Sequence, residues 1–395
     1  MNVRGALAGP PQRRSGAYVA LGLLVVVLNV LGLVMVLSAS SVEALRDHGS
    51  SWYFFERQLL WVAISVVALV VSARVDYRAW RRLGGPILAV ALVLMVLVLV
   101  PGFGIRVGGS SRWLGYGPLR MQPSELAKLG LLLLGADFLT RRGDRMYEPR
   151  VTVRPVIGLY LVIAVLLMAQ PDLGTALVTG CIVMTLLFLA GSPLSSMGGL
   201  AASAVAGTFL LAKVEPYRWQ RMTSFLNPFA DAANTGYQAA QGRVALASGG
   251  LTGVGLGASR AKWGFLPAAH TDFIFAIIGE ELGLVGALAV VVLFATFAWL
   301  GARAALRAPD RFGTLLAGGV TAWVCGQAVI NIGAVVGLMP ITGVPLPFIS
   351  AGGSSLVPMT AGAGILLNIT RQARPVARPP ARRTVAVAPA DAAAS

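Results

Sequence analysis

Apolar residues in this chain gather in long blocks near 17–38, 57–73, 86–101, 123–139, 155–170, 174–191, 197–213, 272–300, 312–338 and 354–369. A helix that crosses a bilayer needs about 17 to 25 such residues. The pattern therefore predicts an all-α polytopic membrane protein of about ten transmembrane helices. Several blocks are short for a span, and the break at Gln170-Pro171-Asp172 fits either a broken helix or a tight outside turn.

The connections set the orientation. With the N-terminus in the cytosol, the inner segments hold Arg4, Arg13 and Arg14, then Arg74 to Arg82, Arg141 to Arg154, Arg303 to Arg311 and Arg371 to Arg383. Twenty of the 32 Lys and Arg residues then lie inside, which predicts both termini in the cytosol by the positive-inside rule. Composition agrees with a membrane protein: 56% hydrophobic, 12% charged, mean hydropathy +0.75. The net charge of +16 is a topology signal rather than a nucleic-acid footprint, since the cations sit between apolar blocks instead of clustering on a polar face. Cys181 and Cys325 fall inside apolar blocks and form neither a metal-ligand cluster nor a disulfide framework. The first block lacks a close small-residue cleavage site and reads as a retained helix. Residues 1–16 and 371–395 read as a basic cytoplasmic tail and a disordered Arg, Pro and Ala tail flanking a transmembrane domain at 17–370.

Three outside connections are expected to carry the chemistry. The first, near 102–122, holds Arg106, Arg112, Trp113 and Arg120; the second, near 214–271 between helices 7 and 8, is the longest; the third, near 339–353, is rich in Pro and Gly. Connections of this length in a compact protein are commonly functional. No internal repeat of the secondary-transporter kind is evident.

Within the first connection, Arg112-Trp113 precede Gln122-Pro123-Ser124-Glu125-Leu126-Ala127-Lys128. Pro123 suits a first helical turn, and Glu125 and Lys128, three apart, can pair on one face; the pair reads equally as a packing device or as part of a substrate site. The long loop carries Tyr217-Arg218-Trp219-Gln220-Arg221, Arg243, Arg260 and Lys262, cations suited to phosphate or to an interfacial anchor. Asp272 stands at the start of an apolar block. An acid there costs about 2.5 to 3.5 kcal/mol at a helix centre, whereas the helix macrodipole favours an anion at the N-terminal end. Asp272 is thus the candidate base, with His270 beside it as a proton-tuning or structural residue. Glu280 and Glu281 lie about 12 Å further along the helix, too far to share its proton.

At these segments the chain resembles the SEDS family (shape, elongation, division and sporulation proteins), and within it the division members more than the rod-elongation members. The resemblance rests on Arg112-Trp113 with Gln122 to Lys128, Gln170-Pro171-Asp172-Leu173-Gly174-Thr175, His270-Thr271-Asp272-Phe273-Ile274-Phe275 with Gly279 to Gly283, and Pro345-Leu346-Pro347-Phe348-Ile349-Ser350 with Gly352-Gly353-Ser354-Ser355. Ala351 stands where the family usually has Tyr. The resemblance implies ten helices and a peptidoglycan glycosyltransferase acting on lipid II at the outer face of the cytoplasmic membrane, at the division septum. It implies Asp272 as the essential acid, with Arg120, Glu125 and Lys128 as sensitive polar positions. Arg112, Gln122 and Ser354 join the substrate-binding set with His270. It also implies a class B penicillin-binding protein as partner, together with other divisome proteins.

Donor activation by a pyrophosphate calls for cations or for a shared Mg²⁺ or Mn²⁺, while the attacking C4 hydroxyl calls for one base. Two rivals are a lipid-linked precursor flippase and a noncatalytic scaffold. A flippase needs a polar route to both faces, whereas Arg120, Asp272 and the longest loops all map to the outer side. A scaffold gives no reason for the acid.

Overall fold

The computed structural model describes residues 16–107, 110–116, 119–145, 148–214, 224–234 and 236–373. Helix α1 spans Gly16–His48, α2 Tyr53–Arg74, α3 Gly84–Leu99, α4 Pro123–Arg141, α5 Val153–Ala169 and α6 Leu173–Leu189. They are followed by α7 Leu194–Val214, α8 Tyr237–Ser248, α9 Ile274–Leu306, α10 Arg311–Val336 and α11 Leu356–Gln372. A helix stands at each of the ten apolar blocks. By length and composition, α1, α2, α9 and α10 are long and apolar enough to cross a membrane, and α3, α5 and α6 are shorter apolar helices.

The fold is mostly helical as expected, with two additions in its connections. The first connection, near 102–122, folds into a three-stranded antiparallel sheet, a departure from all-α, in the order β1 (Ile105–Val107), β2 (Ser110–Tyr116), β3 (Leu119–Met121). Its register sets Ile105 opposite Trp113 and Gly115 opposite Arg120, so strand pairing aims Arg112 and Arg120 from a framework rather than from a loop. The long connection contains a helix of its own, α8, which packs on α9. The break at Gln170-Pro171-Asp172 is a tight turn between packed helices: Tyr160 of α5 donates to the Ala176 carbonyl of α6 at 3.3 Å, and Asp172 caps α6 by accepting from Thr175 N at 3.2 Å. The expected tails, apart from Gly16 and residues 371–373, lie outside the described residues, as do Tyr217 to Arg221.

Helix α4 is the central element, covered by α3, α6, α10 and α11, and most of its residues are buried. Charge collects at the two ends of the bundle. At one end Arg81 and Arg141 both pair with Asp137, at 2.7 and 2.8 Å, and Arg78 pairs with Asp310 at 2.8 Å. There Asp310 caps α10 through Gly313 N and accepts from Tyr77. Burial raises the Asp310 carboxyl, but the bonds from Gly313, Tyr77 and Arg78 outweigh it and hold the group below its ordinary value. The other end carries the sheet, the turn before α9 and the 339–355 segment.

Candidate active site

Asp272 lies in the turn immediately before α9, half-buried. The backbone of that turn is held at three successive carbonyls. Ala351 N donates to His270 O at 3.0 Å, Ser350 Oγ donates to Thr271 O at 2.6 Å, and Asn331 Nδ2 donates to Asp272 O at 2.8 Å. Asn331 reaches from α10 and also donates to Val344 O at 2.7 Å, while Ser350 Oγ accepts from Leu346 N. Gln58 of α2 reaches the Ser350 carbonyl at 3.4 Å. Each buried carbonyl left without a donor costs about 1 to 3 kcal/mol, so the network pins the turn and with it the direction of the carboxylate.

Arg112, on β2, is fixed against the α5–α6 turn. Its Nε donates to Gln170 O at 3.1 Å, its Nη2 donates to Pro171 O, and its Nη1 lies 3.7 Å from Asp172 Oδ1. Asp172 is 1% exposed and also accepts from Gln122 Nε2 and Thr175 Oγ1, both at 2.9 Å. One buried carboxylate therefore ties the sheet, the start of α4 and the start of α6 together. Gly343 connects this group to Asp272. A Cβ placed on Gly343 would stand 3.5 Å from Asp272 Oδ2 and 3.9 Å from Arg112 Nη1, so the two charged atoms lie within the sum of those distances of each other. Gly343 adopts φ +70, a conformation that favours glycine, and a side chain there would stand against both charged groups.

The Glu125–Lys128 pair forms as the spacing predicts, at 2.8 Å, with both side chains at most 3% exposed. Lys128 Nζ also donates to Gln327 Oε1 at 3.0 Å and lies over the Trp323 ring. Gln327 in turn donates to Pro345 O at 2.9 Å, so the pair supports the 339–355 segment from below. Ser354 Oγ accepts from Gln122 N at 3.1 Å, which joins that segment to the start of α4. His270 Nδ1 lies 3.2 Å from Glu43 Oε2 and its ring lies against Phe54. Arg120 is exposed on β3. Among the predicted residues, then, Arg112, Gln122 and Ser354 share one network, Glu125 and Lys128 lie beneath it, His270 points toward α1 and α2, and Arg120 faces outward.

Glu280 and Glu281 serve the long connection instead. Glu280 accepts from Ser259 Oγ and Arg260 N, and Glu281 from Ser38 Oγ and Ser259 N. Of the other long-loop cations, Arg243 donates to Phe225 O at 2.6 Å and Lys262 to Gly257 O at 2.5 Å. The sequence reading missed Asp172, Asn331, Ser350 and Gly343 as site residues. A lone Asn within an apolar block was the one signal that could have pointed to Asn331.

A single carboxylate with a guanidinium alongside is a poor cage for Mg²⁺ or Mn²⁺, which want several oxygen ligands. Among the described residues no group of three or more His, Cys, Asp or Glu side chains is placed to hold an ion.

The family model described as "Cell cycle protein", FtsW/RodA/SpoVE, matches residues 19–375. The chain belongs to this family. The probable peptidoglycan glycosyltransferase FtsW of Mycobacterium tuberculosis is 44% identical over 367 residues, covering 93% of this chain and 70% of that protein. Stage V sporulation protein E of Bacillus subtilis is 41% identical, covering 89% of this chain and 96% of that protein. Among solved structures, one described as "Structural coordination of polymerization and crosslinking by a peptidoglycan synthase complex" aligns with a TM-score of 0.74 at 30% identity, over 89% of this chain and 97% of the other. The rod shape determining protein RodA of Thermus thermophilus aligns with a TM-score of 0.63, also at 30% identity, over 89% of this chain and 96% of that one. Family and apolar helices together make this a multi-pass helical membrane protein.

Proposed function

We propose that this chain is a peptidoglycan glycosyltransferase of the division type, polymerising lipid II into β-1,4 glycan at the outer face of the cytoplasmic membrane with Asp272 as general base. The relatives named FtsW support the activity and the division role. The observation that carries the chemistry is that the Asp272 carboxylate and the Arg112 guanidinium both lie beside Gly343.

The acceptor C4 hydroxyl oxygen attacks C1 of the donor sugar, and the C1–O bond to the pyrophosphate breaks. The pyrophosphate leaves with the electron pair, and the hydroxyl proton passes to Asp272. Attack opposite the leaving group converts an α-phosphate into a β-glycosidic bond. Arg112, held by the Gln170 and Pro171 carbonyls and Asp172, cannot follow the substrate away and acts as a fixed cation for the departing phosphate. General-base assistance of about 10² to 10⁴ corresponds to roughly 3 to 5.5 kcal/mol.

The basic connections support ten crossings with both termini cytosolic, which puts the sheet and Asp272 outside. The synthase-complex neighbour supports a class B penicillin-binding protein as the crosslinking partner, working with other divisome proteins at the septum. The test is glycan formation from purified lipid II by wild type and Asp272→Asn, each alone and with a crosslinking-inactive transpeptidase. Polymer from wild type and none from a folded Asn variant is expected; long glycan from Asp272→Asn would remove the general-base assignment.

A further inference from the structure

Helix α9 is interrupted at Gly283, whose φ and ψ are 69° and −166°. The interruption is filled by the long connection. Val254 N donates to Glu280 O and Gly255 N to Glu281 O, both at 3.0 Å, while Leu284 N and Val285 N donate to the carbonyls of Gly250 and Leu251 at 2.9 and 3.2 Å. The approach is close enough that a Cβ on Gly253 would stand 2.1 Å from Glu281 O, and one on Gly283 2.4 Å from Gly253 N. The return leg is held by Glu280 and Glu281 through Ser259, Arg260 N and Ala261 N. Residues 250–255 thus complete the hydrogen bonding of the broken helix.

Several large apolar side chains of the segment face outward. Leu251, Val254, Leu256, Trp263 and Phe265 are 46 to 70% exposed; of the two cations in this stretch, Lys262 is buried against Gly257 O and Glu281, and Arg260 at the edge of the patch is exposed. An apolar surface whose backbone is bonded within protein at Gly253, Val254, Gly255 and Ala258 suits the edge of the hydrocarbon better than water. Depth can be read along α9. From Leu284 to Arg303, the first cation of the inner end, is about 28 Å at 1.5 Å per residue, against a hydrocarbon thickness of about 30 Å. The segment therefore meets α9 at the outer headgroup–acyl boundary, where Trp is favoured. It is continuous there with Leu284, Val285 and Leu288, exposed on α9 by 49 to 64%.

We propose that residues 250–265 form a lipid-inserted anchor that buries Leu251, Val254, Leu256, Trp263 and Phe265 in the outer leaflet and is spliced to α9 at Gly283. The anchor fixes the height above the bilayer of the helix that begins beside Asp272. It rests on α9 crossing the membrane, and the experiment separates the two. Full-length protein with Cys181→Ala and Cys325→Ala receives one nitroxide at Leu251→Cys, Val254→Cys or Leu256→Cys, in vesicles of phosphatidylethanolamine and phosphatidylglycerol. Asn234→Cys is the aqueous reference and Leu288→Cys the lipid reference. The expected result is an oxygen-to-nickel-chelate collision ratio several-fold above that at 234 and approaching that at 288. A ratio equal to that at 234 places the segment in water and overturns the anchor while leaving α9 intact. Exclusion of both reagents means that protein covers the patch and overturns it too. An aqueous reading at 288 removes the membrane crossing, and the anchor with it.

Discussion

Replacing Gly343 by alanine separates the chemistry of the site from its stability. The new methyl would lie at ordinary van der Waals distance from Asp272 Oδ2 and Arg112 Nη1, so it displaces neither group by collision. Its structural cost is the left-handed backbone at φ +70, about 1 to 2 kcal/mol for a residue with a Cβ. What it takes up is space beside both the acid and the guanidinium. A misplacement of about 1 Å at the reacting centre costs on the order of 10²-fold in rate, or about 2.7 kcal/mol of barrier. The comparison is Gly191→Ala, which carries the same kind of strain at φ +84 with nothing within 4 Å of the added methyl. Both variants would be assayed for glycan formation from lipid II, in complex with the crosslinking-inactive partner, and for thermal unfolding by intrinsic fluorescence. Matched losses of Tm with about a hundredfold loss of polymerisation only in Gly343→Ala are expected. Polymerisation within a few-fold of wild type in Gly343→Ala would refute the placement of substrate beside Asp272 and Arg112.

Other substitutions probe the supports. Lys128→Met leaves Glu125 buried without its cation and should cost about 3 to 5 kcal/mol; adding Glu125→Gln should restore much of that, and denaturant unfolding in detergent reads both. Asp172→Asn withdraws the charge beside Arg112 and one acceptor from Gln122 or Thr175. A loss of about 1 to 3 kcal/mol should appear in kcat/KM for lipid II, and an unchanged value would detach Asp172 from the site. At the opposite end, the depressed Asp310 carboxyl stabilises the fold above the ordinary carboxylate range, and that stability is lost as pH falls through its lowered folded value. The Tm gap between wild type and Asp310→Asn should therefore be full at neutral pH and close only below about pH 4; a gap independent of pH would assign the effect to the helix cap alone.

The sequence disclosed most of the helices because a bilayer imposes one requirement on every span, a long apolar block, and that requirement is local. Asp272 stood out for the same reason, as an acid beside such a block, and Glu125 with Lys128 because helical spacing alone brings them together. The sheet at 105–121 did not stand out, since its outer strands are three residues each and such short runs carry little periodicity. Asp172 reads locally as a helix cap, which it is; its hold on Arg112 and Gln122 joins residues 50 to 60 positions apart and has no local signature. Gly343, between Thr342 and Val344, looks like any turn glycine until the fold brings Arg112 and Asp272 beside it.

The three carbonyls that hold the Asp272 turn have an implication for biogenesis. Their donors are Asn331, Ser350 and Ala351, all made after Asp272, and Ser350 is itself braced by Gln58 from the second helix. The turn that carries Asp272 therefore takes shape only when nearly the whole chain has been synthesised. A nascent or truncated chain would carry the acid without the scaffold that aims it. Such distant contacts form late because their loop-closure entropy must be met first, so the acid is aimed only as assembly finishes.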